Sequence, residues 1–133
     1  MKYSMKLGHV LMDEKRILMS ACIFCKIISH QIPTPSIYET DLTLVIRDIH
    51  PRAPIHYLVI TKKHIEHMGL VEKQDAVIMS DMAMVIQHLS ATLAKPVSFN
   101  VISNNGSGAG QSVPHLHWHF LAGKNLYTTE FKL

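Results

Sequence analysis

Between Pro114 and Leu121 the chain alternates imidazoles with bulky apolar groups, in the order His115, Leu116, His117, Trp118, His119, Phe120. A repeat of two is the period of a strand, so the three rings share one face and Leu116, Trp118 and Phe120 share the other. A helix would throw His117 to the side opposite His115 and His119, and Pro114 is foreign to a helix interior. The apolar face belongs in a core. A row of imidazoles does not pack there and calls for a chemical role.

Side chains two apart on a strand lie about 7 Å from one another, so the outer rings of a straight strand stand roughly 13 Å apart. One metal ion with bonds of about 2 Å cannot reach all three without a sharp bend, and the row must divide its labour. An imidazole is a nucleophile and base near neutral pH. Immediately upstream, Ser103-Asn104-Asn105-Gly106-Ser107-Gly108-Ala109-Gly110-Gln111-Ser112 is polar and glycine-rich, suited to turning backbone N–H groups toward an anion. Reaction at phosphorus is the leading expectation.

The stretch from Gly110 to Leu121 resembles the signature of the histidine triad superfamily of nucleotide hydrolases and transferases, His-x-His-x-His followed by apolar residues. Two further segments extend the similarity over about residues 22–123. One is Asp48-Ile49-His50-Pro51-Arg52-Ala53-Pro54-Ile55-His56, running on to His64-Ile65; the other is Cys22-Ile23-Phe24-Cys25-Lys26-Ile27-Ile28 with Ile32-Pro33. The branch it is most similar to is that of small nucleoside phosphoramidate hydrolases. The resemblance implies His117 as nucleophile toward the α-phosphorus, His119 as a phosphate contact, and His56 as an additional histidine from a neighbouring strand. It implies Ser112 near the leaving group and Asp48 as the carboxylate gripping the ribose hydroxyls, a fitting job for two acceptor oxygens. Asn104 and the amides near Gly110 match phosphate contacts. Phe24, Ile27, Ile32 and Ile49 match an apolar slot for the base of a purine nucleotide such as AMP or GMP; such spacing also suits plain core. Relatives of this size pair through the long helix and the strand near residues 97–103, which implies a homodimer.

Cys22-x-x-Cys25 by itself reads as a redox pair, as two small apolar residues or as half a metal site. Cys combined with His favours zinc, and four protein ligands make a closed structural site. The resemblance implies Cys22, Cys25, His64 and His115 as that set; His50 and His67 lie near enough in sequence to be alternatives. Three departures bear on substrate choice, one of them Ala122-Gly123 in place of a double glycine. Pro114 stands where an aromatic is common, and the tail from Lys124 lacks the tryptophan that reaches the partner's site in some relatives. A dinucleoside polyphosphate hydrolase, and a non-catalytic nucleotide- or zinc-binding module, are the competing readings.

At 133 residues the chain is long enough for one core. With 47% hydrophobic and 17% charged residues it is ordinary globular material, without an apolar run of spanning length. A net charge of +3 suits an anionic small ligand rather than a nucleic acid, and cysteines used as thiols fit a cytoplasmic protein. Residues 1–21 are expected to be an extension, disordered or loosely docked, ahead of a domain over 22–133. The expected fold is α+β: an antiparallel sheet with a short N-terminal helix and one long crossover helix. Helices are expected over Cys22–Ser29 and Val71–Ala94, with Met79, Met82 and Met84 read as core. Strands are expected over Ser36–Thr40, Leu42–Arg47, His56–Thr61, Val97–Ser103 and His115–Ala122.

Overall fold

A computed structural model describes residues 21–127; the expected extension (all but Ala21) and the last residues of the tail lie outside that range. Helix α1 (Ile23–Ile28) is followed by strands β1 (Ser36–Glu39), β2 (Thr43–Arg47) and β3 (Ile55–Thr61). Helix α2 (Ala76–Ala91), β4 (Phe99–Ile102) and β5 (His117–Ala122) complete the described chain. The strands form one antiparallel sheet in the order β1-β2-β3-β5-β4.

The sheet separates two apolar clusters, and the alternation along each strand assigns its residues. Val45, Val59 and Phe120 point to α2 and meet Ile78, Met82, Val85 and Leu89, a helical stripe at spacings of four, three and four. Leu44, Ile46, Leu58 and Ile60 point the other way, onto Phe24 and Ile27 of α1. His117 lies opposite Ile60 and His119 opposite Leu58, so the imidazoles share the α1 face with the second cluster. Phe120 is fully buried in the first, and its truncation to Ala is worth about 3–5 kcal/mol.

The shorter helix and strands differ from the sequence reading by one residue at an end, and larger differences fall on the long helix, β4 and β5. The long helix begins at Ala76 instead of Val71, because two 3-10 turns, Met68–Leu70 and Lys73–Asp75, precede it. The Glu72 N–H donates to the Asp75 carboxylate at 3.0 Å, and Lys63 Nζ donates to the same carboxylate at 2.6 Å, which pins the entry. The helix stops at Ala91, where Thr92 Oγ1 donates to Leu89 O at 2.6 Å. Strand β4 is shorter than Val97–Ser103 at both ends. Strand β5 begins at His117 rather than His115, because the Leu116 N–H donates to Ile65 O at 2.6 Å and the chain bends there. Of the three methionines read as core, Met82 is buried and Met79 half-buried, but Met84 is 60% exposed.

Candidate active site and metal centre

The bend at Pro114-His115 sends the first triad imidazole away from the other two. His115 is fully buried, with Nδ1 3.2 Å from Cys22 Sγ, 3.6 Å from Cys25 Sγ and 3.1 Å from His64 Nδ1. Cys25 Sγ is 3.2 Å from His64 Nδ1, and the four donor atoms all lie within 4.8 Å of one another. A tetrahedral zinc with Zn–S near 2.3 Å and Zn–N near 2.0–2.1 Å holds its donors roughly 3.3–3.8 Å apart, so this cluster has the size of such a cage. The wiring behind it also fits. His115 Nε2–H donates to Thr61 O at 2.6 Å, which leaves the Nδ1 lone pair turned to the cysteines. Burial and the hydrogen bond from Cys22 push the Cys25 thiol up to about 12, so a cation is what would hold it as thiolate. His67 and His50 stand outside the set: His67 Nδ1 accepts the Gly69 N–H at 3.0 Å, and His50 lies beside Asp48.

The second imidazole, His117, is buried beneath a pocket of about 370 Å³. Its Nδ1–H donates to the carbonyl of His115 at 2.6 Å. That bond assigns the proton to Nδ1 and leaves Nε2 with a lone pair. Burial lowers the His117 pKa below the ordinary imidazole value, more than the bond to His115 raises it, so the ring is neutral near pH 7. The edge of Phe24 closes against it at 5.0 Å between ring centroids. His119 lies beside it at 5.2 Å; burial and the neighbouring His117 push its pKa down to about 4. His56, from β3, stands behind His119 with its Nε2 2.8 Å from His119 Nδ1, and does not line the pocket.

Asp48, at the end of β2, reaches the same pocket, and one of its oxygens accepts the His50 N–H at 2.8 Å. Ser112, Phe24, Ile27, Ile32 and Ile49 line the pocket too. Phe24 and Ile27 are buried, lining its floor while packing in the second apolar cluster. Ile49 is 85% exposed and Ile32 36%, which makes them walls at the mouth. Asn104 and Gly110 are not brought into the pocket. Asn104 Nδ2 donates to Ala109 O, and the amides of Ala109, Gly110 and Gln111 are used inside the loop, on Ser107 O and Gly106 O. Gly110 sits at φ 87, where L side chains are strained. Sequence reading missed Leu58, Ile46 and Val113 in the lining and Thr61 behind His115. Leu58 and Ile46 were recoverable only from strand register, which puts them on the imidazole face.

A buried imidazole with a bare Nε2 beneath an apolar slot, joined by the His115 backbone to a two-Cys, two-His cage, defines the class of site. The HIT domain family matches residues 29–126, and the chain belongs to that family. An uncharacterized HIT-like protein of Synechocystis sp. is 36% identical over 102 residues, covering 77% of this chain and 90% of that protein. A HIT family hydrolase from Legionella pneumophila superposes with TM-score 0.75 at 34% identity, covering 80% of this chain and 96% of its own. A histidine triad nucleotide-binding protein from Candida albicans does so with TM-score 0.67 at 31% identity, over 84% and 87%. Among the described residues no helix is long and apolar enough to cross a membrane.

Proposed function

We propose that this chain is a nucleotide hydrolase that releases a nucleoside 5'-monophosphate, AMP or GMP, from a phosphoramidate or related mixed anhydride. The observation that carries the reading is the 2.6 Å bond from His117 Nδ1–H to the His115 carbonyl, which frees Nε2 in a pocket that Asp48 also lines. In the first step Nε2 bonds to the α-phosphorus, the bond from phosphorus to the leaving amine breaks, and Ser112 hands that amine a proton. In the second, water attacks phosphorus, its proton returns to the Ser112 oxygen, and the Nε2–P bond breaks. Two easier displacements replace one hard one. Neutral His119 donates to the phosphoryl oxygens, where preorganised donors are worth most. Asp48 accepts from the ribose hydroxyls, while Phe24, Ile27, Ile32 and Ile49 hold the base. Asn104 and Gly110 shape the loop beside Ser112.

The cage of Cys22, Cys25, His64 and His115 is proposed to hold zinc. Bound there, the ion supplies a structural cross-link, because all four positions are protein donors. A cytoplasmic homodimer completes the reading. Strand β4 is an edge with Phe99, Val101 and Ile102 exposed, and α2 exposes Val77 and Met84.

The test is turnover of a fluorogenic adenosine phosphoramidate beside a His117→Ala control. The wild-type chain should hydrolyse it, and acid-free quenching should trap a nucleotidyl group on His117. If AMP binds but no phosphoramidate is cleaved by either form, the chain is a binding module and the enzymatic reading fails.

A further inference from the structure

Among the described residues two clusters offer metal-ligand donors: the two-Cys, two-His cage, and Asp48, His56 and His119 beside the pocket. The second has the composition of a two-histidine, one-carboxylate site, and its atoms are spaced for one. His56 Nε2 lies 3.3 Å from Asp48 Oδ2 and 2.8 Å from His119 Nδ1, and the remaining pair is 3.8 Å apart. What separates the clusters is the direction of the hydrogen bonds behind them. In the cage, a backbone carbonyl accepts from the far side of His115 and leaves the near nitrogen bare. In the second cluster the partner behind the ring is a donor: the Arg52 backbone N–H points at His56 Nδ1 at 3.0 Å.

A donor behind Nδ1 makes that nitrogen the acceptor, so the proton of neutral His56 sits on Nε2. The Nε2–H then faces His119 Nδ1 at 2.8 Å, close enough that a hydrogen there would set donor against donor. His119 Nδ1 is therefore bare and its proton is on Nε2, the nitrogen left for the pocket that the ring lines. From these contacts we infer that the Arg52 amide and His56 form a one-way relay that fixes His119 as a hydrogen-bond donor to the phosphoryl group and keeps this cluster metal-free. His56 is thus a positioning residue, acting through His119. The same relay disfavours a proton on either ring, since an imidazolium at His56 would turn Nδ1–H against the Arg52 N–H. Burial lowers the pKa of both, although the Asp48 carboxylate opposes it and Arg52 reinforces it. The tautomers rest on hydrogen-bond geometry alone, and the phosphoryl partner rests on the nucleotide-hydrolase reading.

Long-range proton–nitrogen spectra of the full chain with ¹⁵N-labelled histidine rings read the tautomers directly, with His56→Gln and His119→Gln to assign the signals. Both rings should carry hydrogen on Nε2 alone at pH 7. His56→Gln, whose amide still donates to His119, should keep that His119 signature and most of kcat. His56→Leu should give His119 a mixture of tautomers and lower kcat roughly 10-fold or more, with KM nearly unchanged. Cobalt titration should show one tetrahedral site per chain, abolished by Cys22→Ser. Hydrogen on His119 Nδ1 in the wild type, or a second cobalt site lost in His56→Gln, overturns the relay. The expected spectra without any phosphoramidate turnover would leave the relay standing and remove the enzymatic reading instead.

Discussion

His115 serves two neighbours with two different parts of one residue. Its ring goes to the cysteines and its carbonyl goes to His117, so the bend that separates the two-Cys, two-His cluster from the pocket also orients the His117 ring. A pH prediction follows at this scale. The proposed attack needs a neutral His117, and burial puts its pKa below the ordinary 6.5. For a group depressed in this way the active, neutral form persists as pH falls past 6.5 and is lost only on passing the lowered value. Single-turnover rates should therefore stay flat from pH 8 through 6.5 and decline below it. A rate already halved at pH 6.5 would mean an ordinary, solvated imidazole. Phe24 gives a second prediction, because it is core and pocket floor together. Phe24→Ala should cost about 3–5 kcal/mol in urea unfolding and raise KM for the nucleotide. A stability change without a KM change would take Phe24 out of the base slot.

Elements are held in register by polar contacts that periodicity does not display. The turn between β1 and β2 is docked on α2: Thr40 Oγ1 and Thr43 Oγ1 both donate to Asp81 Oδ2, the latter at 2.6 Å, and Thr43 is fully buried. Asp81→Ala leaves the buried hydroxyl without its charged acceptor. It should cost about 2–3 kcal/mol by urea denaturation while kcat/KM stays within twofold, since Asp81 does not line the pocket. Loss of activity in step with stability would tie the turn to the site. The alternations of β3 and β5 and the stripe on α2 were legible because a two- or four-residue repeat is written in the chain itself. The donors of the cage and pocket were legible through resemblance of motifs. The bend at His115 was not, as it depends on Leu116 N–H bonding Ile65 O, a contact between segments distant in sequence. Nor was the internal use of the loop amides at Gly110, which turns on the positive φ of Gly106 and Gly110. The resemblance matches Asn104 and Gly110 to phosphate contacts, and the turn they build uses the Gly110 amide and one Asn104 Nδ2 hydrogen internally.

For the whole molecule, the cage joins the first helix, the segment after β3 and the bend before β5, three stretches that meet only in the folded chain. Zinc bound there stabilises the folded state alone. With free ion at about 1,000 times Kd the gain is about 4 kcal/mol, and stripping the metal with a chelator should lower Tm by roughly 10–20 °C. An unchanged Tm, with about one zinc per chain lost, would show that the cage adds nothing to the fold. The exposed edge argues for assembly at a larger scale. Among the described residues strand β4 pairs with β5 on one side only, and its Phe99, Val101 and Ile102 are each about two-fifths exposed. A row of unpaired amides flanked by apolar side chains is an invitation to another strand, and a symmetric pairing of β4 with its copy closes it without leaving a new edge. Val101→Asp should then halve the mass seen by light scattering at micromolar concentration while leaving the monomer folded. A wild-type chain that scatters as a single copy would leave the β4 edge to some other partner.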